Sequence, residues 1–388
     1  MPLGIYISVP FCRSKCSYCN FASGVFPRAV YEQYVERVCA DIRRAQQTAE
    51  RMGGQFERAV DSIYVGGGTP TMLDAAQLER LFETVRQEFR VAPESEITVE
   101  CAPGSLTPEM LEMLIRCGVN RVSLGVQSWM DEEARAVGRL HTRAATLDDI
   151  ARLRGAGIVN LSVDLIAGLP HQTRESWHYS LEETIATGAG HVSVYMLEVD
   201  EDSRLGREVI AGGTRYHAHF VPDDELTADL YLEAIEALGA AGISQYEISN
   251  FARPGCQSRH NLKYWTRQPY LGFGVDAHSF LHAAGDGDGV RFATADSLDA
   301  YLAEAPLTAT PVGLNAAREE CFFLGLRLNR GVELKEVATR YSLSPQVQRA
   351  ISELYDVGLL DYDREREIVR LTRDGRLLSN EVFERFIG

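Results

Sequence analysis

Three cysteines, Cys12, Cys16 and Cys19, lie close together directly after a predicted β-strand. Thiolates at C-x3-C-x2-C spacing suit an iron–sulfur cluster, and a four-iron cluster normally takes four cysteine ligands. Three cysteines would leave one iron open to a small chelating ligand, much as a catalytic zinc site keeps an open position. A three-cysteine zinc site and a chance grouping are the alternatives. The zinc site is disfavoured because no further Cys or His follows at knuckle spacing.

A glycine triplet follows the second predicted strand, in Gly66-Gly67-Gly68-Thr69. Glycines let backbone groups approach a small ligand closely, although such a triplet is more often only a turn. Polar residues also end or follow the next strands. We expect these side chains to converge on one mouth of a barrel. A purely structural role is the alternative for each of them: a helix cap, a hydrogen bond in the core or, for Arg139, a surface ion pair. They are Glu100, Gln127, Arg139 and Asp164.

Apolar runs alternate with amphipathic helical stretches up to about residue 198, which predicts parallel βαβ units. Thr107-Pro108 is expected to begin one helix and Gly118 to end it. Residues 199–225 are expected to form a long loop, and 283–289 a surface turn. The candidate strands are 5–9, 62–65, 96–101, 121–126, 160–165 and 191–197. The candidate helices between them are 28–50, 74–90, 107–117, 145–156 and 174–187.

The C-terminal part predicts a separate small module, with helices at 316–327, 333–340, 345–356 and 373–387 and a strand at 368–371. The fold expected for the whole chain is therefore α/β: a partial (β/α)6 barrel with a C-terminal α+β domain resembling a winged helix. The expected domains are 1–225 for the core barrel, 226–314 for a barrel extension and 315–388 for the C-terminal domain.

The formal net charge is −16, which argues against nucleic-acid binding, because that usually needs a basic surface. No signal peptide or run of eighteen apolar residues is visible, so no integral membrane segment is expected. The other five cysteines are scattered singly, unlike a disulfide framework. These features together predict a cytoplasmic protein.

The cysteine spacing, with the aromatic Tyr18 before the third cysteine, resembles the radical S-adenosylmethionine (SAM) superfamily. The resemblance implies a 4Fe–4S cluster on the three cysteines, with SAM chelating the open iron. Further segments extend the resemblance to the oxygen-independent coproporphyrinogen oxidase-like group over nearly the whole length; they are 6–12, 66–71, 100–103, 125–128 and 164–170. The SAM contacts that this resemblance implies are Tyr6, Tyr18, Gly67, Gly68, Thr69, Glu100, Gln127, Arg139 and Asp164.

Two departures separate the chain from the oxidase proper. Phe21 stands where the oxidase has a fourth cysteine, and the chain begins almost at its first strand, without the oxidase's longer N-terminal extension. The string His260-Asn261-Leu262-Lys263-Tyr264-Trp265 instead resembles a signature of a haem chaperone branch. That branch implies haem as cargo, and an imidazole such as His260 can ligate haem iron. His278 is a second candidate ligand. A hydrogen-bonded loop histidine beside core aromatics is the alternative.

The expected function is therefore to bind a 4Fe–4S cluster, SAM and haem and to deliver haem to acceptor proteins. The expected partners are those acceptors and an electron donor; a homodimer is left open. The rival hypotheses are an oxygen-independent coproporphyrinogen III oxidase and a related radical SAM methyltransferase or haem-modifying enzyme. Whether the chain is an enzyme is also left open.

Overall fold

The computed structural model describes residues 1–285 and 287–388 as a mixed α/β structure. The described strands are β1 (Leu3–Val9), β2 (Gly54–Gln55), β3 (Ala59–Gly67), β4 (Arg90–Cys101), β5 (Arg121–Gln127), β6 (Asn160–Ala167), β7 (His191–Met196), β8 (Ser244–Gln245), β9 (Asn250–Ala252), β10 (Tyr270–Phe273), β11 (His278–Ala283), β12 (Gly289–Ala293), β13 (Thr310–Val312), β14 (Val332–Glu333), β15 (Leu360–Asp363) and β16 (Ile368–Leu371).

Helices connect most of these strands. The described α-helices are α1 (Ala29–Arg43), α2 (Ala45–Met52), α3 (Ala75–Glu88), α4 (Pro108–Arg116), α5 (Asp131–Ala136), α6 (Arg143–Gly155), α7 (Arg174–Ala186), α8 (Arg204–Ile210), α9 (Asp224–Ala240), α10 (Arg259–Trp265), α11 (Leu298–Leu302), α12 (Leu314–Gly325), α13 (Leu334–Arg340), α14 (Pro345–Asp356), α15 (Arg373–Leu377) and α16 (Ser379–Glu384). Two 3₁₀ segments cover Pro70–Met72 and Arg215–Phe220. None of the described helices combines the length and apolar character needed to cross a membrane.

A parallel sheet forms the centre of the fold, in the order β10-β1-β3-β4-β5-β6-β7. The six strands expected from the sequence are all present, and β10 adds a parallel partner on the far side of β1 that was not expected. Within the described residues, the strand order runs as an open path with antiparallel strands beyond β10 and β7. The parallel part is therefore a partial barrel, as the sequence predicts.

The strands alternate between an apolar outer face and a polar inner face. Along β1, Ile5, Ile7 and Val9 are fully buried in the core shared with the helices. Tyr6 lies between them on the other face, with its ring 6.1 Å from that of Tyr64 on β3. Because successive strand residues point to opposite faces, this alternation buries apolar side chains under the helices and lines the lumen with polar ones.

Local capping explains several element boundaries. Thr107 Oγ1 accepts a hydrogen bond from the backbone N–H of Met110 at the start of α4, and Gly118 adopts a φ of +67° after its end. Both boundaries agree with the sequence prediction. Residues 199–225 were expected to be a long loop, and this is wrong in part. They include α8, where Ser203 Oγ accepts from Gly206 N at 2.8 Å, and the second 3₁₀ segment.

The C-terminal helices α12, α13 and α14 stand beside a small antiparallel sheet in the order β14-β16-β15. The β15–β16 hairpin is the wing-like feature of this module, in agreement with the predicted α+β character. The surface turn expected at 283–289 joins β11 to β12; its residue 286 lies outside the described residues.

A buried ionic network attaches this module to the sheet. Arg267 Nε lies 2.7 Å from Glu320 Oε2 on α12, and Arg267 Nη2 lies 2.8 Å from Asp288 Oδ2. Arg291 on β12 contacts the other oxygen of Glu320 at 2.9 Å. The Arg267 side chain is only 6% exposed and bridges the two carboxylates, each of which has one further, more exposed arginine: Arg291 for Glu320 and Arg340 for Asp288.

We predict that Arg267→Met lowers the free energy of unfolding by about 3 kcal/mol, the low end of the range for a broken buried ion pair, because it removes the most buried cation and leaves each carboxylate only a more exposed arginine. Denaturant titration followed by circular dichroism measures the loss. Arg366→Met, which removes an exposed ion pair with Asp363, is the control and should cost less than about 1 kcal/mol. Equal losses in the two variants would contradict this account of the network.

Candidate cofactor site at the mouth of the partial barrel

The loop after β1 carries the three cysteines and is closed by its own hydrogen bonds. The N–H of Cys12 donates to Gly24 O, and the N–H of Gly24 donates to Pro10 O, each at 2.8 Å. Lys15 Nζ donates to the carbonyl oxygens of Phe21 and Ser23, also at 2.8 Å. The loop is thus held in a compact form by residues between its two ends.

The three thiols of this loop differ in their exposure to solvent. Cys16 is buried, whereas Cys12 and Cys19 are partly exposed. Arg139 Nη1 lies 3.7 Å from Cys16 Sγ and places a positive charge beside it. Burial raises the pKa of the Cys12 thiol, and the neighbouring Cys19 and Cys16 raise it further.

The residues present fit an iron–sulfur cluster better than a single metal ion. Among the described residues, no group of three or more His, Cys, Asp or Glu side chains is arranged to hold one metal ion. In a four-iron cluster each thiolate binds a different iron, so its ligands stand further apart than those of one ion. Three thiols from one loop, with a guanidinium beside one of them, match that donor set.

The glycine loop lies against the cysteine loop. The N–H of Gly68 donates to Val9 O, and the N–H of Thr69 donates to Phe11 O, each at 2.8 Å. A Cβ atom on Gly68 would lie 2.9 Å from Cys12 Sγ and 2.8 Å from Phe11 O. Gly67 has a φ of +103°, a conformation that favours glycine. The glycine loop and the cysteine loop are in contact at Gly68, so this position leaves no room for a side chain.

Glu100, at the end of β4, points its carboxylate at the same loop. Tyr64 OH donates to Oε1 at 2.7 Å, and the N–H of Gly67 donates to Oε2 at 3.2 Å. Burial raises the pKa of Glu100 to about 7, and the nearby Asp164 raises it, while the bond from Tyr64 opposes the shift. The site therefore holds a carboxyl group that gives up its proton less readily than an exposed glutamate does.

Gln127 and Arg139 are brought together by an irregularity in β5. The pairing of β5 with β6 shifts register between Gly125 and Gln127, and Gln127 has a φ of +69°. Arg139 Nη2 donates to the carbonyl oxygen of Gly125. A Cβ atom on Gly125 would lie 2.9 Å from Arg139 Nη2 and 3.0 Å from Gln127 Nε2, so this glycine makes room for both side chains.

Asp164 and the two tyrosines complete the set expected from the sequence. Ser123 Oγ lies 3.0 Å from both carboxylate oxygens of Asp164, and burial raises the Asp164 pKa. Tyr6 faces the lumen beside Tyr64. Tyr18 packs with Val137, Leu169 and other residues in a small apolar cluster under the cysteine loop. Burial raises the pKa of both Tyr6 and Tyr18.

His260 lies away from the cysteines, at the opposite end of the lumen. Its Cε1 atom would be 3.2 Å from a Cβ on Gly4, near the start of β1, whereas the cysteine loop begins after Val9. Five strand residues span about 16 Å. The ring is fully buried on α10, with Nδ1 3.0 Å from Ser62 Oγ and Nε2 2.8 Å from Tyr264 OH.

This environment leaves His260 without a nitrogen for iron in this conformation. Burial lowers the pKa of His260 to about 3, and the neighbouring Lys263 lowers it further, so the ring is neutral and fully hydrogen-bonded. To act as a haem ligand it would have to give up one of its two bonds. The second candidate ligand, His278, is exposed on β11, and its Nε2 lies 3.7 Å from Asp276 Oδ1.

Sequence reasoning missed two lumen residues. Tyr64 hydrogen-bonds Glu100, and Arg121 is 2% exposed with its Nε forming no hydrogen bond to the described residues. Alternation along the strands could have identified both. In β5, Arg121, Ser123 and Gly125 alternate with the apolar Val122 and Leu124, which marks the first three as inward-facing.

We predict that Gly68→Ala lowers the iron bound per chain after anaerobic reconstitution, because the added methyl group collides with Cys12 Sγ and a backbone oxygen that cannot move independently. Gly155→Ala is the matched control, since nothing lies within 4 Å of a Cβ at that helical position. Iron and sulfide content and circular dichroism measure the two effects. A Gly68→Ala protein with normal iron content would show that the close contact is not needed.

We predict that Glu100→Gln becomes progressively more stable relative to wild type between pH 4.5 and about 7. In that window the unfolded carboxyl is ionised while the folded one, with its raised pKa, keeps its proton, so wild-type stability falls as pH rises. The slope is at most about 1.4 kcal/mol per pH unit. Urea titrations of the metal-free protein test this, with the exposed Glu112→Gln as control. A pH-independent difference would refute it.

Comparisons with known proteins agree with this geometry. The family model described as Radical SAM superfamily matches residues 6–184, and the HemN C-terminal domain matches residues 314–378. A solved structure, coproporphyrinogen III oxidase (HemN) from Escherichia coli, superposes with a TM-score of 0.82 over 99% of this chain and 90% of that chain. At 23% sequence identity, this likeness establishes the fold.

Full-length relatives are more similar in sequence. The heme chaperone HemW of Bacillus subtilis (strain 168) is 33% identical over 99% of this chain and 98% of its own length. The heme chaperone HemW of Lactococcus lactis is 32% identical over 100% and 97%, and that of Escherichia coli K12 is 30% identical over 100% and 98%. The chain therefore belongs to the radical SAM superfamily and, within it, to the HemW family.

Proposed function

We propose that this chain is a haem chaperone, which binds haem as cargo and passes it to haem-requiring acceptor proteins. The observation that carries the proposal is the extent of its similarity to proteins named heme chaperone: 30–33% identity over 99–100% of the chain. Because the matched region spans 99–100% of the chain, the proposal does not depend on the cofactor site alone.

Membership of the radical SAM superfamily implies a 4Fe–4S cluster and SAM. We assign the cluster to Cys12, Cys16 and Cys19. When bound, this pair of cofactors supplies one-electron reductive chemistry. The residues that we assign to SAM are Tyr6, Tyr18, Gly67, Gly68, Thr69, Glu100, Gln127, Arg139 and Asp164.

The contacts around Glu100 support this assignment. Its carboxylate lies beside the backbone of the glycine loop and is suited to accept hydrogen bonds from a cationic amino group. Arg139, held by Gly125 O and next to Cys16, is suited to a carboxylate. An amino acid moiety such as that of SAM presents both groups, so one charged residue on each side of the cysteine loop would orient it.

The side chain at position 21 favours a chaperone over a coproporphyrinogen oxidase. Phe21 is 64% exposed and offers an apolar ring where the oxidase has a further thiol. A radical SAM methyltransferase or haem-modifying enzyme remains a rival, because it would use the same cysteines. Product analysis with the two tetrapyrroles distinguishes these functions.

We propose that the chain is organised as a core barrel (1–225), a barrel extension (226–314) and a C-terminal domain (315–388). Because the chain as a whole carries a net charge of −16 and nucleic-acid binding usually needs a basic surface, the C-terminal domain would contact protein partners or cover the site. An electron donor would reduce the cluster, and a homodimer would be one route to haem transfer. The eight cysteines, all present as free thiols, are suited to a reducing compartment such as the cytoplasm.

The deciding experiment incubates the anaerobically reconstituted protein with SAM, a reductant and either haem or coproporphyrinogen III. We expect one haem to bind per chain, to transfer to an apo-acceptor, and neither tetrapyrrole to change chemically. A protein with Cys12, Cys16 and Cys19 all changed to Ala separates cluster-dependent steps, and Cys256→Ala is its control. Vinyl-group formation from coproporphyrinogen would overturn the chaperone assignment in favour of the oxidase.

A further inference from the structure

Three histidines that the cofactor site does not use lie together beside its mouth. His171 follows the carboxyl end of β6, and its Nε2 lies 2.9 Å from Nδ1 of His217 in the second 3₁₀ segment. Phe220 packs against this pair, with its ring centroid 4.1 Å from that of His171 and 4.0 Å from that of His219. Aromatic and imidazole rings thus form one surface group.

The segment that carries His217 packs against α8, and α8 is hydrogen-bonded to the cysteine loop. The N–H of Leu205 donates to Ser17 O at 2.8 Å, and Arg204 donates to Lys15 O while its guanidinium lies 5.3 Å from the Tyr216 ring centroid. Ala218 shares the small apolar cluster that contains Tyr18 and Leu169. The histidines therefore stand next to the loop that would hold the cluster.

The backbone at this pair adopts an unusual conformation. His171 has a φ of +69° and His217 a φ of +60°, in the left-handed region that non-glycine residues rarely adopt. Such outliers persist where surrounding contacts hold them, and they cluster at binding sites. Here the N–H of His171 donates to Phe220 O at 3.0 Å, which ties the two segments together.

The hydrogen bond between the rings prepares one nitrogen for a metal. If His217 Nδ1–H donates to His171 Nε2, the lone pair of His217 lies on Nε2, which forms no hydrogen bond to the described residues. Metal-ligating histidines usually donate their other ring N–H to a partner that fixes the tautomer and orientation. Both nitrogens of His260, by contrast, are already occupied.

The surroundings suit a flat apolar ligand. Phe220 is 48% exposed and Tyr216 is 38% exposed, so apolar rings flank the imidazole on the same short segment. Aromatic side chains are the usual lining of pockets that bind apolar ligands. A haem presents an iron for the imidazole and an apolar macrocycle for the rings.

We propose that His217 Nε2 is an axial ligand of haem iron, that His171 is its positioning residue, and that Phe220 and Tyr216 contact the macrocycle. This assignment rests on the proposed chaperone function and names the place where the cargo docks, beside the cluster loop and outside the lumen. His260 then stabilises the floor of the lumen through Ser62 and Tyr264 instead of meeting the iron.

The test compares haem binding by wild type, His217→Ala, His171→Ala and His178→Ala. His178 is an exposed histidine on α7 that contacts Glu233, and it is the matched control. We expect His217→Ala to lose the absorption spectrum of imidazole-ligated haem and to regain it with added imidazole. His171→Ala should keep a ligated spectrum but bind about 10- to 100-fold more weakly, and His178→Ala should behave as wild type.

The outcomes separate this inference from the proposed function. If wild type binds haem and His217→Ala keeps the wild-type spectrum and affinity, the ligand assignment is wrong and the chaperone function stands. If His219→Ala or His260→Gln alone loses the ligated spectrum, that residue replaces His217. If wild type binds no haem, both the assignment and the function are overturned. Circular dichroism of each variant checks that folding is retained.

Discussion

The parallel pairing of β1 with β3 is the constraint on which the site depends. The backbone pairing continues beyond β3, where the N–H of Gly68 donates to Val9 O at the end of β1 and the N–H of Thr69 donates to Phe11 O in the cysteine loop. Parallel strands deliver their following loops to the same edge of a sheet. A one-residue change in that register would exchange inward- and outward-facing side chains and separate the glycines from the thiols.

The polar lumen follows from the same arrangement, because helices cover the outer face and leave only the inner one for polar groups. The lumen has two functional ends with different chemistry. At the mouth, Arg139 places a positive charge beside Cys16, and Glu100 accepts a hydrogen bond from the glycine loop. At the floor, His260 is neutral and joined to Ser62 and Tyr264, which is the hydrogen bonding expected of a buried polar group that stabilises a fold.

The strands and the positions of the mouth residues could be predicted because they follow local patterns. The positions of Glu100 and Asp164 near the carboxyl ends of predicted strands indicated the mouth without knowledge of the tertiary structure. The parallel strand β10 could not be predicted, because it has four residues and pairs with β1 far away in sequence. The sequence of α8 predicts a loop and not a helix, because its seven residues are mostly polar or small.

The environment of His260 was beyond sequence reasoning for a similar reason. The neighbours that bury it and bind both its nitrogens include Ser62 on a distant strand, and nothing in the string around residue 260 identifies that partner. The histidine pair His171–His217 was missed because its members are 46 residues apart and only tertiary contacts bring them together. Long-range pairing, not local pattern, decides the state of each histidine.

The hydrogen bonds that close the cysteine loop have a consequence for how the protein matures. Small metal-binding modules often remain unfolded until the metal arrives, since the ligand bonds supply their folding energy. Here Lys15 and the backbone pairing of Cys12 with Gly24 close the loop by themselves, within a sheet that has its own large core. The folding energy of the sheet therefore comes from its own core, and maturation of the site adds metal–ligand bonds to a loop that the polypeptide also holds in place.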